Sequence, residues 1–408
     1  MATHEVSSVK VAQSAVETAG LGERKLRRIS AWLNLFFLIA GGLGAVWDRE
    51  WHAYVGRDQF WTPPHTLIYV SVTAGGLIAL TLVLLETMRY RRKVAGVSDT
   101  STVRVFWLFH APIGFVVSGF GALLSLISAP LDNYWHELYG IDIAMWAPFH
   151  MMGITGALIA TLGMIYVFAS EAAIDRQEQA KRRTFLRLTA LEWGSLAVMA
   201  SLMNFALTGF LQFPVVNLGP LHISTYPLGL VAATCFCFIA AIHMTRRPGA
   251  ALLVTLMLFV HTMMVETFLP WWIRVAVAQQ GLDYRIPGYI PYFHPSYAFL
   301  PAILLISALI VDGLAWRQLR KYGTLKLSVR RASLVGLVIV PPIVLLAPFM
   351  LQGYNPFSPI FLPQPGLTVP LSLYIEAFTG LALAVLATGA IFGLLGADFG
   401  DIWRWSKR

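Results

Sequence analysis

Residues 65–87 read HTLIYVSVTAGGLIALTLVLLET, with no charged side chain before Glu86. A helix of about 20 such residues crosses the hydrocarbon core of a bilayer, because each helical residue advances about 1.5 Å. Helices are expected here because an open strand cannot satisfy its backbone hydrogen bonds in lipid. Similar runs recur, and we predict ten transmembrane helices at residues 29–47, 65–87, 105–128, 146–169, 193–211, 226–244, 250–269, 294–315, 332–351 and 371–395.

The composition of the whole chain agrees with this prediction. Of its 408 residues, 57% are hydrophobic and only 12% are charged, whereas a soluble domain carries about 25% charged residues. The two cysteines, Cys235 and Cys237, are too close in sequence to pair within a helix, so no disulfide framework is expected. These features exclude a soluble globule and a disulfide-stapled scaffold. They predict an all-α polytopic membrane protein built from five helical hairpins.

The basic residues predict the orientation and the domain organisation. Of 30 lysines and arginines, all but Arg49, Arg57, Arg274 and Arg285 fall on one side of the predicted spans. The positive-inside rule then places both termini in the cytoplasm, in the cytoplasmic membrane. We predict a polar cytoplasmic tail without a cleavable signal at 1–28, a four-helix membrane unit at 29–172 and a six-helix unit of unknown role at 173–408. No phosphate-binding loop accompanies the basic residues, so no nucleic acid partner is expected.

The loop between the first two spans carries metal-binding side chains. Asp48 and His52 are four residues apart, which places them on one face if this stretch is helical. His65 follows Pro63-Pro64, and proline is favoured in the first turn of a helix. Two imidazoles and a carboxylate from adjacent elements can form a three-ligand metal site with open coordination positions.

The loop between the third and fourth spans repeats this pattern. Asp132 and His136 are again four apart, and His150 follows Pro148 near the start of the returning helix. The spacing leaves copper, iron and zinc open as the metal. It also leaves open two other interpretations: a hydrogen-bonded hairpin without metal, and a haem held by His65 and His150.

The first motif resembles the C subunit of the copper-dependent membrane monooxygenases, a family that includes particulate methane and ammonia monooxygenases. The likeness rests on Asp48, on Trp51-His52, on the pair Arg57-Asp58 and on Thr62-Pro63-Pro64-His65. The likeness extends over about residues 30–170. The later helices do not share it, so the chain looks like a diverged relative with an extra C-terminal membrane half.

The second motif is similar to the second copper motif of that subunit, in which an asparagine usually stands where this chain has Asp132. The resemblance implies copper at Asp48, His52 and His65 and at Asp132, His136 and His150, with the second trio catalytic. It implies O2 activation and hydroxylation of a small, poorly polar substrate that enters from the lipid. It also implies further oxygenase subunits, one of them soluble and copper-binding.

Three other residues are candidates to orient the metal-binding side chains by contacting them, namely Arg57, Asp58 and Asn133. Two alternative functions remain on the sequence alone. One is a copper-binding membrane protein without catalysis that serves another oxidase, and the other is a haem or quinone electron-transfer subunit. Two further histidines, His222 and His294, also follow prolines. Neither is preceded by an acidic residue and a histidine four positions apart, as His65 and His150 are.

Overall fold

The computed structural model describes residues 2–56, 60–94, 101–140, 147–178, 183–210, 215–293, 296–350 and 360–404. Its helices are α1 Ala2–Tyr54, α2 Pro63–Arg91, α3 Ile113–Tyr139, α4 Pro148–Gln177, α5 Ala190–Phe210, α6 Tyr226–Thr245, α7 Ala250–Gln280, α8 Ser296–Tyr322, α9 Val329–Met350 and α10 Leu371–Arg404. Its strands are β1 Thr102–Val105, β2 Phe109–Pro112, β3 Thr184–Phe185, β4 Leu188–Thr189, β5 Val215–Leu218, β6 Leu221–Ser224 and β7 Phe361–Pro363. The strands form two hairpins and one three-stranded antiparallel sheet.

The described helices confirm an all-α polytopic membrane protein. Nine of them are long and apolar enough to cross a membrane. The apolar faces of several of them are largely unburied: the most hydrophobic segments of α2 and α10 have mean hydropathies of 2.2 and 2.1 but are only 22% and 17% buried. A soluble protein does not expose apolar surface on this scale, so these faces contact lipid.

The third helix begins later than the sequence predicted. Residues 102–112, which the hydropathy pattern assigned in part to a helix from residue 105, form the β1–β2 hairpin, and α3 runs from Ile113 to Tyr139. The hairpin is apolar at its turn, which explains why a hydropathy window did not separate it from the helix. The segment predicted as a polar tail at 1–28 is helical from Ala2 onward and forms the first part of α1.

The chain divides into two compact units, Met1–Val198 and Met199–Arg408. The division lies within α5, and the predicted boundary after residue 172 falls within α4. In the first unit, α1 packs on α2, α2 on α3, α3 on α4, and α4 returns to α1. Because the four helices pack in this cyclic order, the α1–α2 and α3–α4 connections lie at one end of the unit, called here the motif end. The opposite end, which carries Arg24, Arg27, Arg28 and Arg89, is called the basic end.

Glycine brings the backbones of α3 and α4 into contact. A Cβ atom on Gly121 would lie 2.3 Å from the amide nitrogen of Ala160, and one on Gly163 would lie 2.4 Å from the amide nitrogen of Ser118. Small residues permit this kind of close helix crossing in membranes, where dispersion contacts drive helix association. The crossing sets the position of Asp132 and His136 relative to His150.

We therefore expect Gly121→Ala to destabilise the protein by about 1–3 kcal/mol, because the added methyl group must push two backbones apart. The matched control is Gly42→Ala in α1, where an added Cβ would meet no atom within 4 Å. Alanine favours helix over glycine, so the control should be neutral or slightly stabilising. Thermal unfolding in detergent measures both. Equal stability of the two variants would contradict the role of the close crossing.

A network of buried ion pairs closes the basic end of the first unit. Arg27 binds Glu86 at 2.9 Å and also pairs with Glu23, and each of these three side chains is at most 2% exposed. Arg24 and Arg28 both contact Asp175 of α4, at 2.8 and 2.6 Å. From their sequence positions, these arginines predict membrane topology alone. The structure shows that they also join α1 to α2 and α4.

In the second unit, α6 is the central helix. It contacts α7, α8, α9 and α10, and 89% of its apolar segment is buried. Asp312 of α8 is buried at the start of α7, where its carboxylate accepts hydrogen bonds from the backbone N–H groups of Ala251 and Leu252. This carboxylate satisfies amide groups that have no partner within the helix.

Candidate metal centre

The first trio is assembled by the end of one helix and the start of the next. Asp48 and His52 lie in the last two turns of α1, which continues past the predicted end of the first span, so their four-residue spacing places them on one face. His65 lies in the first turn of α2, where its backbone N–H donates to the side-chain oxygen of Thr62 at 3.3 Å. Threonine before Pro-Pro is an N-cap signature, which fixes the start of α2 and hence the position of His65.

The distances within this trio suit a bound ion. Asp48 Oδ1 lies 3.1 Å from Nε2 of His65, and Asp48 Oδ2 lies 3.7 Å from Nε2 of His52. Among the described residues, this is the one group of three histidine, cysteine or acidic side chains whose ligand atoms all lie within 4.8 Å of one another. Ligands about 2.0–2.2 Å from a common ion are themselves about 3–3.6 Å apart.

The carboxylate of Asp48 also shows a need for a partner. Its Oδ1 atom is buried without a hydrogen bond, and Nε2 of His65 lies 3.1 Å from it. A buried carboxylate oxygen without a donor is destabilising. A cation among the three side chains would remove that cost.

The second trio has the same construction but a looser arrangement. Asp132 and His136 lie in the last two turns of α3, and His150 is in the first turn of α4. Asp132 Oδ2 lies 3.6 Å from Nε2 of His136 and 3.6 Å from Nδ1 of His150. The Oδ1 atom of Asp132 is buried without a hydrogen-bond donor, as in the first trio. The His150 side chain is the most exposed of the six, at 37%.

The orientation of His136 favours metal binding. Its Nδ1 donates a hydrogen bond to the carbonyl oxygen of Gly140 at 3.3 Å, and a carbonyl can only accept, so the hydrogen is on Nδ1. In the neutral ring, Nε2 then presents a lone pair toward Asp132. A lone pair facing a carboxylate is unfavourable unless a metal cation lies between them or the ring is protonated, so the arrangement suits a cation at this point. This backbone contact was not anticipated, although it is a common way to orient metal-binding histidines.

The two trios are close enough to interact. Asp48 interacts electrostatically with His150 of the other trio as well as with His52 and His65, and His150 also interacts with His65. The motif end therefore concentrates four imidazoles and two carboxylates. Sequence spacing identified each trio but did not show their proximity, which depends on α1 packing against α4.

The other candidate residues fall elsewhere. Arg57 and Asp58 lie outside the described residues, as does His294. Asn133 donates to Glu137 at 2.8 Å, one helical turn along α3. His222 hydrogen-bonds Asn217 at 2.6 Å across the β5–β6 pair in the second unit.

Comparison with known proteins adds no relative. No protein-family model, no curated protein and no solved structure matches the chain. The interpretation of the site therefore rests on its own geometry and on the motif resemblance described above.

Proposed function

We propose that the chain is a copper-dependent membrane monooxygenase-like protein of the C-subunit type. It would activate O2 to hydroxylate a small, poorly polar substrate such as a short hydrocarbon or ammonia. The observation that carries the proposal is the convergence of Asp48, His52 and His65 within 4.8 Å, next to a second trio of the same composition. The resemblance of both motifs to that family supports copper rather than iron or zinc as the metal.

The chain's own residues would hold the metal and orient it. Bound copper would supply one-electron chemistry with O2. Asp48 would contribute negative charge to the more buried trio, while Thr62 holds the helix start that positions His65. The Gly140 carbonyl would fix the His136 ring so that Nε2 points toward the ion.

The second trio is the proposed reaction centre. Its His150 side chain is partly exposed, which leaves space for a substrate beside the ligands. Both trios lie at the ends of apolar helices, so a poorly polar substrate can reach them from the lipid. Trp51, which lies between the two ligands of α1 in sequence, is buried, with 1% of its surface exposed.

The location follows from the charge distribution. The chain would lie in the cytoplasmic membrane with its basic end inward and both trios facing the outer side. The family resemblance suggests that further oxygenase subunits, including a soluble copper-binding one, assemble with it. An electron donor to the copper would reach the motif end through such a partner.

The test combines metal content with turnover, measured in native membranes and on the purified chain. We expect copper in the purified protein and O2-dependent hydroxylation that is lost in His136→Ala. His222→Ala is the control, because it removes a histidine that lies outside both trios, and this variant should keep both properties. Copper without turnover would support a non-catalytic copper protein instead. A Soret band in place of copper would support the haem alternative.

A further inference from the structure

Two short hairpins at the basic end of the first unit present apolar side chains to the surroundings. The β1–β2 hairpin turns at Phe106 and Trp107, whose exposed fractions are 66% and 82%, followed by the exposed Leu108. The β3–β4 hairpin turns at Leu186 and Arg187, with Phe185 and Leu186 exposed. Each hairpin directly precedes a membrane-spanning helix, α3 or α5. Their tips therefore lie near the level at which the apolar helices begin.

The turns carry side chains that their backbone conformation does not favour. Phe106 and Trp107 have φ values of +48° and +62°, and Leu186 and Arg187 have +49° and +64°. Two-residue turns with positive φ at both positions favour Asn-Gly, because bulky side chains are strained there. Both hairpins have large side chains at these positions, so the turn geometry alone does not explain the residues.

The tip of the β1–β2 hairpin is positioned to contact lipid. Phe106 contacts Phe120 edge-on, with ring centroids 5.8 Å apart, and Phe120 lies on an exposed, apolar face of α3. The other end of the hairpin is anchored on α2: His110 of β2 stacks on Tyr90 at 3.6 Å, and its backbone N–H donates to Thr87. The tip is thus held against the lipid-facing side of the helix bundle.

Cations surround the same tip. The guanidinium of Arg104 lies 5.6 Å from the centre of the Trp107 ring, and Arg91 donates to the carbonyl oxygen of Leu108 at 2.8 Å. Arg92 and Lys93 follow in sequence and are exposed. Beside the second tip, Arg183 and Arg187 are exposed. Aromatic side chains ringed by arginines are the arrangement found at the headgroup level of membranes, where phosphates bind the cations.

We propose that the β1–β2 and β3–β4 hairpins each form a binding site for acidic phospholipids in the leaflet at the basic end. The tips insert beside the acyl chains, and the adjacent arginines bind the headgroup phosphates. These sites are independent of the metal centre and of the proposed oxygenase activity. Insertion into lipid also accounts for large side chains in these strained turns, since burial of the side chains offsets the cost of the backbone conformation.

The test uses the full chain in nanodiscs of phosphatidylcholine with or without phosphatidylglycerol, and measures phosphatidylglycerol binding by native mass spectrometry. We expect Arg91→Gln with Arg104→Gln to weaken binding about fivefold for each charge removed. We expect Phe106→Asn with Trp107→Gly to weaken binding although no charge changes. That second pair installs the favoured turn sequence, so it should leave folding intact or improved.

The control removes two charges from the other side of the membrane, in Arg274→Gln with Arg285→Gln, both of them exposed. It should bind phosphatidylglycerol nearly as the unmodified chain does. If this control loses as much affinity as the Arg91 and Arg104 pair, the effect is general electrostatics and the hairpins are not binding sites. Unchanged binding by the Phe106 and Trp107 pair in a folded protein would overturn the proposal equally.

Discussion

Replacing Asp48 with asparagine is expected to lower the affinity of the first trio for copper by more than about 100-fold. Loss of a residue that merely supports a ligand already costs about 10–100-fold, and Asp48 is itself a ligand in the proposed site. It is also the one anionic side chain of its trio, with oxygens 3.1 and 3.7 Å from the two histidines. Asparagine has nearly the same volume, so the change removes charge rather than packing.

Asp132→Asn provides the matched comparison at the second trio. Its effect should be smaller, because the family that the motif resembles uses asparagine at this position. Copper affinity is measured by competition with a chelator of known strength, using purified protein in nanodiscs. Thermal unfolding of each variant without metal checks that the fold persists. If folded Asp48→Asn retains the full affinity and amount of copper, Asp48, His52 and His65 do not form a metal site.

Replacing Arg27 with methionine is expected to destabilise the protein by about 3–5 kcal/mol. The Arg27 side chain is 1% exposed and lies between the equally buried Glu86 and the side chain of Glu23. Methionine preserves much of the side-chain volume, but it leaves Glu23 and Glu86 buried without the positive charge of Arg27. Removing one partner of a buried ion pair typically costs this much, even where the intact pair adds little net stability.

A surface pair supplies the control for this prediction. Arg49 binds Glu50 at 2.9 Å but both side chains are partly exposed, so Arg49→Met should cost under about 1 kcal/mol. Unfolding in mixed detergent micelles measures both variants. Adding Glu86→Gln to Arg27→Met should recover part of the loss, because it removes a buried charge that Arg27 had neutralised and that would then contact, among the described cations, Arg89 alone, at 3.3 Å. Similar stability of Arg27→Met and Arg49→Met would show that the network contributes little.

The candidate ligands can be identified from the residues of the two motifs and from their resemblance to one family. The sequence can nominate these residues because the relevant signals are local. A four-residue spacing becomes a shared helix face in α1 and α3, and prolines mark the starts of α2 and α4. The contribution of Gly140 to His136 could not be predicted in this way, since it depends on how the end of α3 is shaped.

The start of α3 shows the limit of hydropathy. Residues 105–112 are apolar enough to extend the predicted span, yet residues 109–112 pair with residues 102–105 as a hairpin. A signal was present in Pro112, which directly precedes the helix, but a hydropathy window averages over it. The basic end shows a second limit. Arginines near helix ends predict topology, whereas their pairing with Glu86 and Asp175 depends on contacts with helices distant in sequence.

By itself, the sequence determined that this chain is a helical membrane protein, where most of its spans lie and which side chains could bind a metal. Those properties depend on the apolar length of each segment and on spacing within one turn or loop, so they need no knowledge of packing. Only the tertiary structure decided that the acid and imidazoles of each trio face one another and that the two trios are neighbours. The second trio requires the glycine-lined crossing of α3 and α4, and the proximity of the two trios requires the contact of α4 with α1, whose motif residues are about a hundred positions apart in sequence.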